Sequence, residues 1–197
     1  MSERKNARQH ILEVARQIVG RKGFSAVGLN EVLQAAQVPK GSFYHHFASK
    51  DAFGEALLEN YFESYLADMQ RIFAGNELES RKLLTYWQRW IDSQTGQTDA
   101  GKCLAVKLGA EVTDLSESMR QALERGTSQI IRCLAGALVL GQAQGSLRLK
   151  QEPDSLATQL YALWLGASVM AKITRTSLPF DQALAMTRQA LGTPEYI

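Results

Sequence analysis

The sequence predicts an all-α fold of nine helices. Every long segment repeats its apolar residues with the period of an α-helix, and no stretch between turn signals alternates in the way a strand does. The chain has four prolines, and each falls where a helix is expected to begin or end, at positions 39, 153, 179 and 194. These observations favour a chain built of α-helices throughout.

The first four helices are read from apolar stripes and from residues that stop a helix. Ile11, Leu12, Ala15, Ile18 and Val19 form one buried face of the first helix. Gly23 is expected to end this helix in a left-handed conformation, Val38-Pro39 to stop the second, and Ser49 to cap the fourth. The expected ranges are about 4–21, 30–37, 40–46 and 49–73.

The body is predicted to hold five further helices. The fifth follows Gly75-Asn76-Glu77 and precedes a polar loop over residues 93–101. Ser116 and Asp154 are expected to open the seventh and eighth helices, and Gly145 to end the seventh. The sixth to ninth helices are expected at about 103–113, 117–144, 154–175 and 179–191.

Charge divides the chain into two predicted domains, 1–50 and 51–197. The first carries a net charge of +5 and all three histidines, whereas the second carries −3. A basic module on a mildly acidic body is typical of a nucleic-acid reader with a separate second domain. We expect no transmembrane helix, no secretory signal and no cofactor. Cys103 and Cys133 lack metal-ligand spacing, so we expect no zinc site and reduced thiols in the cytoplasm.

Residues 28–50 read as a helix-turn-helix, a motif whose second helix enters the major groove of DNA. Phe43 and Phe47, four residues apart, are expected to face inward. The basic residues Arg4, Lys5 and Arg8 are candidates for an arm beside the groove. The alternative is a small helical cap with ordinary surface residues. The predicted DNA contacts are Lys40, Gly41, Ser42, Tyr44, His45 and Lys50.

The run VPKGSFYHHFASKDAF, with EVLQAAQ before it and Gly23-Phe24 between the first two helices, resembles the TetR family of transcriptional repressors. The resemblance covers the first fifty-odd residues. It implies an all-α homodimer with a DNA-binding head, a ligand-binding body and a dimer interface made by helices eight and nine. Two heads would then meet the two half-sites of a near-palindromic operator.

Cys103 is the candidate reactive residue of the body. It is predicted near the N-terminus of the sixth helix, beside Lys102 and one turn before Lys107. Nearby cations and helix N-termini favour the thiolate, which is the reactive form of cysteine. The alternative is a small buried apolar residue, as most free cysteines are. For Cys133, within an apolar helical stretch, packing is the favoured role.

The segments KCLAVKLGAEVTDLSESMRQAL and LYALWLGASVMAKITR resemble the electrophile-responsive repressors of the same family. That resemblance implies a reactive cysteine at Cys103, responding to quinones, maleimides, aldehydes or hypochlorite, and control of detoxifying reductase genes. It also implies that Lys172 is the partner of the cysteine. From the residues alone, Lys172 could instead extend to solvent or pair with Glu111 or Asp114.

Three other functions are weighed against this one. A reversible ligand could bind among aromatic residues of the body, although such spacing is more often plain core; the candidates are Trp87, Trp90, Tyr161 and Trp164. An enzyme is disfavoured because no metal cluster, nucleotide-binding glycine loop or GxSxG motif occurs, and no histidine follows His46. A ligand-free architectural DNA-binding protein has little use for the long acidic body.

Overall fold

The computed structural model describes residues 2–96 and 103–192, and of residues 2–6 the backbone alone. The described residues form nine α-helices and no strand, so the all-α prediction is confirmed. The helices are α1 Ser2–Lys22, α2 Leu29–Ala35, α3 Lys40–His46, α4 Lys50–Phe73, α5 Glu79–Thr95, α6 Leu104–Val112, α7 Glu117–Ala143, α8 Pro153–Thr174 and α9 Leu178–Leu191.

The ends of α2 and α5 differ from the predicted ones. Helix α2 ends at Ala35 because Gln37 adopts a left-handed conformation, with φ of 55°. The N–H of Val38 then returns to the Leu33 carbonyl over 3.0 Å, which closes the end of the helix in a Schellman-like turn. Helix α5 runs to Thr95, so residues 93–95 of the predicted loop are helical. Residues 97–101 of that loop lie outside the described part of the chain.

Contacts between Cα atoms group the chain into two compact units. The first unit contains α1–α3, α4 as far as Ser64, α6, and α7 as far as Gly126. The second contains the rest of α4 and α7 together with α5, α8 and α9. Compact units and functional domains need not coincide, and the predicted domains 1–50 and 51–197 stay a prediction.

An aromatic cluster forms the core of the head in the first unit. Phe43 has no solvent exposure, and Phe47 and Phe53 are almost as completely buried. The Phe43 ring centroid lies 5.0 Å from that of Phe47 and 5.3 Å from that of Phe53. The predicted inward orientation of Phe43 and Phe47 is therefore confirmed. The apolar stripe of α1 is also buried, as predicted.

Polar contacts hold α1 against α2 and α4 in the same unit. A ring nitrogen of His10 lies 3.1 Å from the Ala36 carbonyl oxygen at the end of α2. The side-chain amide of Asn60 on α4 donates to the Gln9 oxygen over 3.1 Å. These bonds, added to the aromatic core, fix the helices that support α3.

The second unit is organised around tryptophan. The indole planes of Trp87 on α5 and Trp164 on α8 are stacked, with centroids 4.6 Å apart and an angle of 9°. Trp164 donates its N–H to the Thr187 hydroxyl on α9 over 3.0 Å, and Trp90 donates to Ser168 over 2.9 Å. Each of these indole N–H groups is paired, as burial of a tryptophan usually requires.

Candidate functional site

Helix α3 has one face in the core and the other in solvent. Pro39 precedes it in an extended conformation, and its carbonyl accepts the N–H of Ser42 over 2.9 Å. On the solvent side the Tyr44 side chain is 56% exposed, Lys40, Gly41 and His45 are exposed, and Ser42 is half-buried. A short helix supported by buried rings and exposing polar side chains has the form that reading a major groove requires. The individual DNA contacts stay predictions.

Two further cations of the head lie over aromatic rings. The Lys50 ammonium, predicted to meet a phosphate, is 5.1 Å from the centre of the Phe24 ring. The Arg8 guanidinium is 5.4 Å from the centre of the Phe47 ring. Both residues are exposed, and a cation over a ring keeps its outer face available to an anion. The side chains of Arg4 and Lys5 lie outside the described part of the chain.

Cys103 is the N-cap residue of α6. Its backbone is extended, and its carbonyl accepts the N–H of Lys107 over 3.2 Å as the first turn of the helix closes. The cysteine side chain is only 3% exposed, and Leu104 and Leu108 on the same helix are 1% exposed. A helix N-terminus stabilises negative charge through its unpaired N–H groups. Lys102, the other predicted neighbour, lies outside the described residues.

At the other end of α6, Glu111 binds the connection between α1 and α2. Its carboxylate accepts the backbone N–H of Ser25 over 2.6 Å and that of Phe24 over 3.2 Å. Partial burial by itself would raise the pKa of Glu111. Hydrogen bonds from Ser25 and Phe24, together with the charge of Lys107, outweigh that effect and hold the pKa below its ordinary value of 4.5.

Gly23 makes room for this carboxylate. Its φ is +89°, which only glycine adopts readily, and its N–H closes the end of α1 on the Val19 carbonyl. A Cβ atom on Gly23 would lie 2.7 Å from Glu111 Oε2. Sequence reasoning predicted the left-handed Gly23. It missed the role of Glu111, since no sequence signal pairs a residue of α6 with a turn 86 positions earlier.

Lys172 lies in the last turn of α8, in the second compact unit, and its side chain is exposed. A cation in the last turn of a helix is favoured by the helix dipole. Cys103 belongs to the first unit. The partnership of the two residues stays a prediction.

Cys133 differs from Cys103 in its surroundings. It lies in the middle of α7 and is half-buried. Burial raises the pKa of the Cys133 thiol, and the negative charge of Glu79 raises it further. A raised pKa keeps the thiol protonated near neutral pH, which lowers its reactivity.

The four aromatic residues predicted to line a pocket are all buried. Trp87 and Trp164 have no exposed surface, Tyr161 is 2% exposed, and Trp90 is 3% exposed. The Trp90 ring meets that of Tyr161 edge-on, with centroids 5.9 Å apart. The rings therefore fill much of the space between them. The Trp87 N–H, however, is buried without an acceptor, unlike those of Trp90 and Trp164.

The described residues hold neither a metal-binding cluster nor a helix that could span a membrane. No group of three or more His, Cys, Asp or Glu side chains there is placed to hold a metal ion. Within the same residues, no helix is both long enough and apolar enough to cross a membrane.

The fold and the helix-turn-helix define a class of protein, and comparison with known families identifies it. Residues 11–57 match the family of bacterial regulatory proteins described as the tetR family, and residues 80–187 match the tetracyclin repressor-like C-terminal domain. The chain belongs to the TetR family, and the resemblance read from the sequence is confirmed.

Among its relatives, the chain is closely related to the HTH-type transcriptional repressor NemR of Escherichia coli (strain K12). The two are 40% identical over 190 residues, which is 96% of each chain. A crystal structure described as E. coli NemR, reduced form, superposes with a TM-score of 0.90 over 96% of this chain and 99% of that one. The repressor DhaR of Mycobacterium sp. (strain GP1) is 35% identical, covering 93% of this chain and 91% of its own. These relatives are transcriptional repressors, the class of protein predicted for this chain.

Proposed function

We propose that this chain is a dimeric repressor that leaves its operator when Cys103 is modified by an electrophile or an oxidant. TetR-family regulators bind operator DNA and act as dimers. Three further features belong to the proposal, namely the covalent sensor, its inducers and the location of the dimer interface. The observation that carries the sensor is the position of Cys103, a buried thiol at the N-terminus of a helix whose other end contacts the head.

Burial of Cys103 gives its modification a structural consequence. With 3% of the side chain exposed, most of an adduct of the size of a maleimide or a quinone would have to be placed among buried atoms. Protein interiors are close-packed, so added atoms displace their neighbours. On the same helix, Leu104 and Leu108 are buried as well. Modification therefore favours an arrangement in which α6 has moved, and this shifts the equilibrium between operator-binding and operator-free forms.

The similarity to NemR supports the same proposal. The relative is named a repressor, and a solved structure of it is described as its reduced form. A reduced form of that repressor agrees with redox chemistry at a thiol. Of the two cysteines in the present chain, Cys103 lies at a helix N-terminus, whereas Cys133 lies in the middle of α7 near the negative charge of Glu79. We therefore assign sensing to Cys103, and we infer that the regulated genes encode detoxifying reductases.

The dimer interface is proposed to lie on α8 and α9. These two helices pack against each other in the second unit. They expose large apolar side chains along α8 and at Met186 on α9. Clusters of exposed apolar residues mark protein interaction surfaces in chains that otherwise bury such groups. The exposed large apolar residues of α8 are Val169, Met170 and Ile173.

The test uses a duplex operator selected by the protein itself from random-sequence DNA. Operator affinity and intact mass are measured on the same sample before and after treatment with N-ethylmaleimide, a quinone or hypochlorite. Gain of one adduct at Cys103 should accompany loss of operator binding, and Cys103→Ser should keep the operator under the same treatment. Cys133→Ser is the matched control and should respond as the parent does. Release of the operator from Cys103→Ser as readily as from the parent would contradict the covalent mechanism.

Lys172 is proposed to assist Cys103, and this step has its own test. If Lys172 favours the thiolate or captures an oxidised sulfur, Lys172→Met should slow modification by N-ethylmaleimide or change the product formed with hypochlorite. Lys150→Met, which removes an exposed cation elsewhere, is the control. Equal rates and equal products in the two variants would remove Lys172 from the sensor.

The second candidate function is reversible binding of a small molecule in the aromatic region of the second unit. The observation in its favour is the buried Trp87 N–H, which has no acceptor within the described chain and could donate to a ligand. Such a ligand would need the rings of Trp90, Tyr161 and Trp164 to separate. Recovery of operator binding after dialysis without a thiol reductant would favour this mechanism over covalent modification.

A further inference from the structure

Helix α6 contacts the head through the carboxylate of Glu111. The Glu111 contact consists of the Glu111 side chain and the backbone N–H groups of Phe24 and Ser25, at 3.2 and 2.6 Å. Two N–H groups converging on one carboxylate form a compact anion site. From these bonds and from the left-handed Gly23 beside them we infer that Glu111 is a positioning residue, which ties the orientation of the head to the position of α6.

Helix α6 connects the proposed sensor, Cys103, with the Glu111 contact to the head. Cys103 caps the N-terminus of α6, and Glu111 lies in its last turn, about 12 Å further along the axis at 1.5 Å per residue. A helix this short moves as one body. Hydrogen bonds of these lengths weaken steeply when their atoms separate by a further ~1 Å. A displaced α6 therefore either carries the turn with it or loses both bonds.

The turn that binds the Glu111 carboxylate leads directly into α2, the first helix of the helix-turn-helix. Phe24 and Ser25 lie between the end of α1 and the start of α2. The Phe24 ring also stacks on Phe53, with centroids 6.4 Å apart, and Phe53 contacts Phe43 inside α3. A change at the backbone of Phe24 thus reaches α3 through two rings. The Glu111 contact is polar and directional, whereas these ring contacts are apolar.

Contacts that do not involve Glu111 attach α7 to α4. Met119 packs at Gly54, where a Cβ atom would lie 2.2 Å from its sulfur. The Arg125 guanidinium lies 3.0 Å from the Glu59 carboxylate and 3.2 Å from that of Glu55. These contacts would keep the unit assembled when the Glu111 contact is lost. Variants of Glu111 should therefore remain folded and report on positioning alone.

The experiment compares Glu111→Ala and Glu111→Gln with the control Glu124→Gln, which removes an exposed carboxylate paired with Arg120 on α7. Each variant is tested on the full chain with the selected operator, before and after one equivalent of N-ethylmaleimide. We expect Glu111→Ala to unfold cooperatively and to take up the reagent at the parental rate. Its operator affinity before treatment should fall on the order of tenfold, and treatment should change it little, since coupling of this size is typical between two sites.

Glu111→Gln retains an oxygen acceptor but places an NH₂ group toward the second N–H, so an intermediate loss is expected. Glu124→Gln should match the parent in affinity and in response. A parental affinity together with a parental response in Glu111→Ala would overturn the inference. The role of Glu111 rests on the proposed sensing function of Cys103, but different results would contradict the two proposals. If the parent keeps its operator after modification, the sensing proposal fails, and the affinities of the unmodified variants alone decide the role of Glu111.

Discussion

The backbone N–H of Ser25 donates to the Glu111 carboxylate over 2.6 Å, between residues that lie 86 positions apart in sequence. The bond places the last turn of α6 against the connection between the first two helices, within one compact unit. Charge-assisted bonds of this kind are shorter and stronger than neutral ones. Their dependence on the charge of Glu111 leads to the first prediction.

The stabilisation by Glu111 should be lost in acid. Its pKa in the folded chain is lowered from 4.5, so the folded state favours the ionised form. A carboxyl of this kind stabilises the fold above the pKa it has when unfolded, and this stabilisation is lost as the pH falls through the folded pKa. Urea unfolding should show the parent more stable than Glu111→Gln at pH 7, by roughly 0.5–1 kcal/mol because the group is partly solvated. The difference should shrink below about pH 4, and a constant difference would contradict the assignment.

Two of the three glycines of α7, Gly126 and Gly136, should respond oppositely to alanine. A Cβ atom on Gly126 would lie 2.2 Å from the Phe62 ring of α4, whereas one on Gly136 would meet nothing within 4 Å. Gly126→Ala should destabilise the fold by about 1–3 kcal/mol through overpacking. Gly136→Ala should stabilise it by about 0.5–1 kcal/mol, since glycine is a poor helix former. Thermal unfolding of both variants measures this, and a shift of the same sign in both would be unexpected.

The Thr187 hydroxyl should matter for stability because it is the acceptor of the buried Trp164 N–H. Thr187→Val keeps the shape but leaves that N–H unpaired, at a cost of about 1–3 kcal/mol. Thr187→Ser keeps the hydroxyl and loses one methyl group, so it should cost about 1 kcal/mol. Denaturant unfolding distinguishes them, and the valine variant should be the less stable of the two. The reverse order would show that the methyl group, and not the hydrogen bond, is important here.

Lys40 should contribute to operator affinity through a phosphate. It is exposed at the start of α3, beside the face predicted to enter the groove. Lys40→Ala should weaken binding to all sequences alike and lower the slope of log affinity against log salt by about 1. Fluorescence anisotropy at several salt concentrations measures this. Lys150→Ala, in the second unit, should leave the slope unchanged, and a change limited to the selected operator would instead make Lys40 a base reader.

The exposed apolar face of α8 should be covered in the dimer. Ile173 is 68% exposed in the single chain. Ile173→Glu would place a charge in an apolar interface, where an unpaired charge is strongly unfavourable, and should shift sedimentation toward the mass of one chain. Leu115→Glu alters a residue that is 58% exposed outside α8 and α9 and should leave the dimer intact. Dissociation by the Leu115 variant and not by the Ile173 variant would place the interface elsewhere.

Helix positions were predictable because their determinants are local. The apolar stripe of α1, the left-handed Gly23 and the proline before α3 act within a few residues of themselves, and α3 begins and ends at the predicted residues. Gln37 was the exception in the head. A left-handed conformation there is uncommon for a residue other than glycine, and the Val38 N–H that returns to Leu33 compensates for it.

The features of the candidate sites were likewise predictable where their determinants are local. The sequence alone determined the all-α class, the inward face of α3 and the position of Cys103 at the start of α6, because period, capping and motif spacing are properties of neighbouring residues. Only the tertiary structure decided that Cys103 is buried, that Lys172 is exposed, and that the aromatic residues stack in the second unit. It also decided the partner of Glu111, since a bond across 86 residues depends on how helices pack, which no local pattern encodes.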